Sequence, residues 1–145
     1  MAVQLAKRHG AHVIGTARTV NHRFLRELGA DELIDHTTTD FTTTHSDVDV
    51  VLDLVGGSYG ARSLQVLSAG GRYIGTQSCD AGNDPRIAHH TTGPSVADLT
   101  AIGDLTAGGR LRIHIDRVLP LAEAAQAHRL SETGRVRGKL VLTPW

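Results

Sequence analysis

Arg18 has the setting in this sequence that most resembles recognition chemistry. It follows Gly15-Thr16-Ala17 and precedes Thr19 and His22, so a cation, small hydroxyls and an imidazole share a short stretch free of acids. That group fits a phosphate, because a guanidinium presents forked donors to an oxyanion. The plain alternative is one more solvated surface cation. Asp53 and the Gly56-Gly57 pair that follows it form a second candidate. Glycine lets backbone approach a flat ligand closely, and a carboxylate there could hydrogen-bond a sugar. A tight turn capped by Asp53 accounts for the same residues. Gly75-Thr76-Gln77 repeats the pattern with the same two readings.

Spacing excludes several sharper chemistries. A tyrosine with a lysine four residues on, whose charge would depress the phenol pKa, is absent: Tyr59 is followed at that spacing by Ser63, and Tyr73 by Gln77. His89 and His90 are adjacent and would point to opposite faces of a strand, while His9 and His12 straddle Gly10. No nearby cysteines or carboxylates complete a ligand set, so the histidines read as structural or surface residues and no metal is expected. Asp47, Asp49 and Asp53 share strand parity, but Asp53 lies too far along an extended chain for one ion. Neither a nucleophile elbow nor a phosphate-binding lysine loop occurs. No catalytic acid or base stands out.

The elements that must position these residues alternate. Ala2–His9 reads as a helix stopped by Gly10, and His12–Ala17 as a short buried strand. Asn21 can cap a helix carrying Phe24, Leu25 and Leu28, ended by Gly29, before a brief strand at Leu33–Asp35. Thr37–Thr44, with six threonines in eight positions, is a polar loop or distorted helical turn. Val48–Val55 is the strongest strand. Ser58 can cap a helix burying Ala61, Leu64 and Leu67, which Gly70-Gly71 would end before a strand at Arg72–Thr76. A weak strand at Ile87–Thr92 precedes a helix with Leu99, Ile102 and Leu105 on one face. Ile113–Leu119 reads as a strand, Pro120 as the first turn of a helix Leu121–Thr133, and Lys139–Thr143 as the last strand.

Strands alternating with helices imply parallel βαβ units and an open α/β sheet covered on both faces. Ligands in such sheets bind at the carboxyl ends of the strands. In a dinucleotide fold an acid at the tip facing the adenosine ribose favours NAD, and a basic residue accommodates a 2′-phosphate. Arg18 stands on the basic side of that choice.

Read in order, AVQLAKRHGAHVIGTAR, FLRELGADELIDH, VDVVLDLVGG, GGRYIGT and LPLAEAAQAHRLSETGRVRGKLVL resemble the nucleotide-binding half and C-terminal return of a medium-chain dehydrogenase/reductase. The similarity is to the quinone-oxidoreductase-like, zinc-free branch of the zinc-binding alcohol dehydrogenases. It implies a Rossmann-like, doubly wound parallel sheet over residues 1–112, with 113–145 returning towards a substrate domain. It also implies NADP(H) as cofactor and hydride transfer to a carbonyl, quinone or activated alkene. Thr16, Arg18 and His22 would line the adenosine-phosphate side, with His36 where relatives often carry a tyrosine. Gly56 would lie near the nicotinamide ribose, with Asp53 at the same edge and Gly75 and Thr76 near the nicotinamide. Arg135 and Lys139 would approach the cofactor from the C-terminal motif. Relatives place a strand and a glycine-rich turn before AVQLAK, so the sheet is expected to lack its first, central strand between 12–17 and 48–55. An incomplete chain of that kind should have open edges and little activity alone. Two other functions remain: a non-catalytic remnant or interaction module, and a Rossmann-like methyltransferase with Asp53 on a cofactor ribose.

Composition bounds these readings. The chain has 145 residues, with fifteen basic and fifteen acidic side chains. That balance argues against a general nucleic-acid binder or a polybasic membrane protein. One cysteine, Cys79, excludes a disulfide framework. No apolar run approaches the roughly 18 residues of a membrane span, and the start lacks signal-peptide order. A cytoplasmic protein acting on a small molecule, with homo-oligomerisation open, is the expectation.

Overall fold

Short parallel strands separated by helices make up both halves of the chain in the computed structural model, which describes residues 1–89 and 93–144. Two compact units result, one of Val13–Ser95 and one of Met1–His12 with Val96–Trp145. The boundary expected at 112/113 falls inside the second of these. There the Gln4 amide clasps the backbone of Arg112, donating to its carbonyl at 2.9 Å and accepting from its N–H at 2.8 Å.

In the unit Val13–Ser95, β1 (Ile14–Thr16) pairs in parallel with β2 (Glu32–Ile34), and α2 (His22–Glu27) crosses between them. Gly29, at φ +102, takes the chain out of α2. Asn21 precedes this helix, but its side chain makes no cap hydrogen bond. A second sheet has the order β3-β4-β5, all parallel: β3 (Val48–Asp53), β4 (Leu67–Gly75) and β5 (Ile87–His89). The last residues of the strand expected at Ile87–Thr92 lie outside the described residues. β1 and β3 do not pair. Among the described residues each keeps one edge without a strand partner. The threonine-rich segment forms a single 3-10 turn, Phe41–Thr43, capped by the Asp40 carboxylate on the Thr42 N–H at 2.9 Å.

Three expectations fail around α3 (Gly60–Val66). Its buried residues are Gly60, Ser63 and Val66, instead of Ala61, Leu64 and Leu67. Small residues go inward because the helix start lies against the loop ahead of β5. A Cβ on Gly60 would meet the Cys79 sulphur at 2.7 Å and the Ala81 Cβ at 2.9 Å. Asp80 from that loop, not Ser58, caps the helix, accepting from the Ala61 N–H at 2.9 Å. Nor do Gly70 and Gly71 end the helix. The chain turns extended at Leu67, and both glycines belong to β4, where a Cβ on Gly71 would press on the Val48 carbonyl at 2.8 Å. Val51, Asp53 and Tyr73 share one face of the β3-β4 pair, on which Asp53 and Tyr73 are buried, while Val50 and Leu52 on the other face are 54% and 47% exposed.

The other unit holds α1 (Ala2–Arg8), α4 (Val96–Ala107), β6 (Ile115–Pro120), α5 (Ala124–Glu132) and β7 (Lys139–Thr143). β6 and β7 pair in parallel. Pro120 closes β6 opposite Thr143 instead of opening a helix, and Leu121–Glu123 forms a 3-10 turn before α5. A strand end suits a residue that fixes φ and donates no hydrogen bond. Among the described residues of this unit, Leu111 and Ala127 are the buried apolar ones. No described helix is long and apolar enough to cross a membrane.

Candidate functional site

Parallel pairing brings the carboxyl ends of β1 and β2 side by side, with Thr16 opposite Ile34. The loop leaving β1 is held at successive residues. The Ala17 N–H donates to the Ile34 carbonyl at 2.9 Å. The Ala17 carbonyl accepts from the His22 ring, whose Nε2 lies 2.9 Å away and must carry the proton. Thr19 donates its N–H to Asp35 Oδ2 at 2.8 Å, and its hydroxyl donates to the same oxygen. On the far side, the Thr37 N–H and hydroxyl reach Asp35 Oδ1 at 2.9 and 2.6 Å. The two hydroxyls, then the two amides, hold the Asp35 carboxyl far below the usual carboxylate range. Arg18 sits inside this clamp. Its side chain is exposed and has no ion-pair or hydrogen-bond partner among the described residues. Thr16 and His36 are exposed at the same strand ends.

A second cluster occupies the carboxyl ends of β3 and β4. Asp53 pairs with Gly75, and the Thr76 N–H donates to the Asp53 carbonyl at 3.1 Å. Asp53 is only 7% exposed. Its Oδ1 accepts from the Val55 and Gly56 N–H groups at 2.7 and 2.9 Å, and Oδ2 accepts from the Tyr73 hydroxyl at 2.6 Å. Burial pushes this carboxyl up, but the Tyr73 hydroxyl and the Gly56 and Val55 amides outweigh it and hold it below its ordinary value. Tyr73 is fully buried. Burial, the Asp53 carboxylate and the neighbouring Cys79 drive its phenol far above the ordinary value, so it remains a donor. Of the two roles open to Asp53, the structure displays the turn cap.

The glycines of this cluster serve the chain's own packing. Gly56 has φ +75, and a Cβ there would lie 2.6 Å from the Ser78 carbonyl. The Gly57 N–H donates to that carbonyl at 2.9 Å, and Asp80 returns its own N–H to Gly57 at 2.9 Å. A Cβ on Gly75 would meet the Tyr73 ring at 2.9 Å, so its absence lets the ring cross diagonally to Asp53. Gly57 alone leaves open space where a Cβ would stand.

The candidate residues thus gather at two sets of strand ends in the unit Val13–Ser95: Thr16, Arg18, His22 and His36 at one, Asp53, Gly56, Gly75 and Thr76 at the other. Arg135 and Lys139 belong to the other unit. Arg135 donates its N–H to the Thr133 hydroxyl at 3.2 Å, and Lys139 donates its N–H to the His114 carbonyl at 2.9 Å. Asp35 and Tyr73 were not among the sequence candidates. Asp35-x-Thr37 and Asp53-x-x-Gly56 carry a local signal, a short acid whose side chain can bond amides two or three residues on. Tyr73 has no such signal, because its link to Asp53 depends on strand register.

Comparison with known proteins agrees with this architecture. The family model described as zinc-binding dehydrogenase matches residues 28–142. A solved quinone oxidoreductase from Coxiella burnetii is 37% identical and superposes with a TM-score of 0.88, over 97% of this chain and 47% of its own. An NAD-dependent alcohol dehydrogenase from Sulfolobus acidocaldarius is 30% identical across 98% of this chain and 46% of its own length. Polyketide synthase GfsB from Streptomyces halstedii is 33% identical across 98% of this chain, which corresponds to 3% of that much longer protein. The chain therefore spans less than half of each of these relatives.

Proposed function

The chain belongs to the zinc-binding dehydrogenase family of the medium-chain dehydrogenase/reductase superfamily, and from that premise we propose that it serves NADPH-dependent hydride transfer to a carbonyl, a quinone or an activated alkene. The observation that carries the cofactor choice is Arg18: exposed, without a protein partner among the described residues, and fixed at the carboxyl ends of two parallel strands. Ligands of parallel sheets bind at that edge, and a cation there suits a 2′-phosphate. The carboxylate beside it, Asp35, is occupied by four donors from Thr19 and Thr37, which leaves it poorly placed to receive ribose hydroxyls.

When bound, the nicotinamide supplies the hydride, and the protein's part is orientation. Arg18 would grip the phosphate and Thr16 would offer a hydroxyl beside it. His22 acts through the Ala17 carbonyl it holds, which makes it a positioning residue more than a direct contact. Asp53 and Tyr73 hold the Gly56 turn in shape, and Gly57 presents bare backbone. Among the described residues no group of three or more His, Cys, Asp or Glu could hold a metal ion, and no step is routed through one.

The test is a fluorescence titration of the chain and its Arg18→Ala variant with NADPH and NADH. A hydrogen bond to a charged group contributes about 1.5–3 kcal/mol, so the variant should lose NADPH affinity by roughly 10–100-fold. NADH binding should change little. Equal losses for both cofactors would remove Arg18 from the site.

A further inference from the structure

We propose that Asp35 sets the cofactor preference of this chain without touching the cofactor, as the residue that holds the Arg18 loop in place. The inference rests on the NADPH reading of the same site and adds the device that makes Arg18 selective. An arginine on a mobile loop must be ordered when a phosphate arrives, and that ordering opposes binding. Here the ordering is already present. Ala17 is fastened through its N–H to Ile34 and through its carbonyl to His22, and Thr19 is fastened through its N–H and hydroxyl to Asp35. The residue between them, Arg18, has its backbone fixed on both sides while its side chain stays in solvent.

The far side of Asp35 is equally engaged. Thr37 donates twice to Oδ1, and the Thr38 and Thr39 N–H groups reach the Asp35 carbonyl at 3.1 and 2.9 Å. The carboxylate is thus tied to β2 and its following turn on one side and to the β1 loop on the other. An acid at this strand end would ordinarily be expected to repel a phosphate or to bind ribose hydroxyls. With both oxygens already accepting two donors each, its effect on the cofactor runs through Thr19 and Arg18.

The experiment measures dissociation constants for NADPH and NADH on the 145-residue chain and four variants: Asp35→Ala, Thr19→Val, Thr19→Ser and Arg18→Ala. Loss of backbone pre-ordering at one residue corresponds to about a tenfold weakening of NADPH in Asp35→Ala, with NADH within about twofold. Thr19→Val removes one of the two Thr19 donors and should fall between Asp35→Ala and the wild type. Thr19→Ser keeps both donors and should match the wild type. Tighter NADPH binding by Asp35→Ala would mean that the carboxylate acts by repulsion, and equal weakening of both cofactors would mean a structural role alone. Either result overturns the proposal. A preference for NADPH abolished by Arg18→Ala but untouched by Asp35→Ala refutes the clamp and leaves the NADPH reading standing, whereas no preference in the wild type refutes both. Amide hydrogen exchange at Thr19 checks the clamp separately: it should be faster in Asp35→Ala than in the wild type, and unchanged exchange overturns the clamp whatever the cofactors do.

Discussion

Replacing Tyr73 by phenylalanine deletes one oxygen from the most buried polar pair in the described residues. The Tyr73 hydroxyl donates to Asp53 Oδ2 at 2.6 Å, with the tyrosine 0% and the aspartate 7% exposed. Water cannot replace the lost donor readily, so the cost should sit within the range for hydrogen bonds to charged groups, about 2 kcal/mol. In a chain of this size that lowers the melting temperature by roughly 4–8 °C. The pH dependence supplies the sharper check. Asp53 ionises below its ordinary value in the folded chain, so its contribution is complete above the unfolded pKa of about 4 and is lost as pH falls through the folded value. Phenylalanine removes one of the donors that keep it ionised, so the folded pKa rises towards the unfolded value and the acid loss becomes smaller. Once Asp53 is protonated the wild type keeps only a neutral hydrogen bond, and the gap between the two proteins should narrow below pH 4. Urea unfolding followed by circular dichroism between pH 3 and 7 measures both quantities. A loss under about 0.5 kcal/mol at neutral pH, the scatter of an ordinary surface substitution, would refute the reasoning. So would a gap that widens on acidification.

Two further substitutions test the frame around the site. Gly138→Ala places a Cβ against the His114 carbonyl at a residue with φ +93, so it should cost about 3 kcal/mol in urea unfolding and expose the Lys139 N–H bonded to that carbonyl to faster hydrogen exchange. Arg62→Ala removes the 2.9 Å ion pair that, with the Thr42 amide and hydroxyl, holds the Asp40 carboxyl down at about 2. Its titration midpoint, followed by carboxyl NMR, should move up towards the ordinary carboxylate range, and the guanidinium's contacts over the Phe41 and Tyr59 rings should be lost with it.

Element types were legible wherever local chemistry settles them. Gly10, Gly29 and Gly134 end helices with positive φ, and β7 covers the same residues, Lys139–Thr143, that the sequence pattern predicts. The β-branched run Val48–Asp53 is a strand for the reason its residues suggest. The phase of α3 was not legible. Leu64 and Leu67 are larger and more apolar than Gly60 and Ser63, and only the approach of Cys79 and Ala81 makes the small residues the inward ones. The Gly70-Gly71 pair misleads for a related reason. A helix stop and a strand passing close to its neighbour both require glycine, and the Val48 carbonyl decides between them. The exposure of Val50 and Leu52 was also hidden, because they alternate with Val51 and Asp53 in a run that reads as buried on both faces.

The acids at the strand ends show why site residues were harder to read than elements. Asp35 and Asp53 both stand where parallel sheets receive ligands, and a sequence rule would offer either one to a sugar. Each is instead filled by hydrogen bonds from its own chain, Asp35 by Thr19 and Thr37, Asp53 by Val55, Gly56 and Tyr73. A carboxylate so occupied works by fixing the backbone around it. The charge left to meet a ligand at the β1–β2 edge is then that of Arg18, although an aspartate lies one residue beyond the adjoining strand. Whether an acid at a strand tip favours one dinucleotide over another depends on the donors already pointed at it. In this chain those donors are threonines two residues after Asp35 and three residues after Thr16, and under the proposed function they leave Arg18 to favour the phosphorylated cofactor.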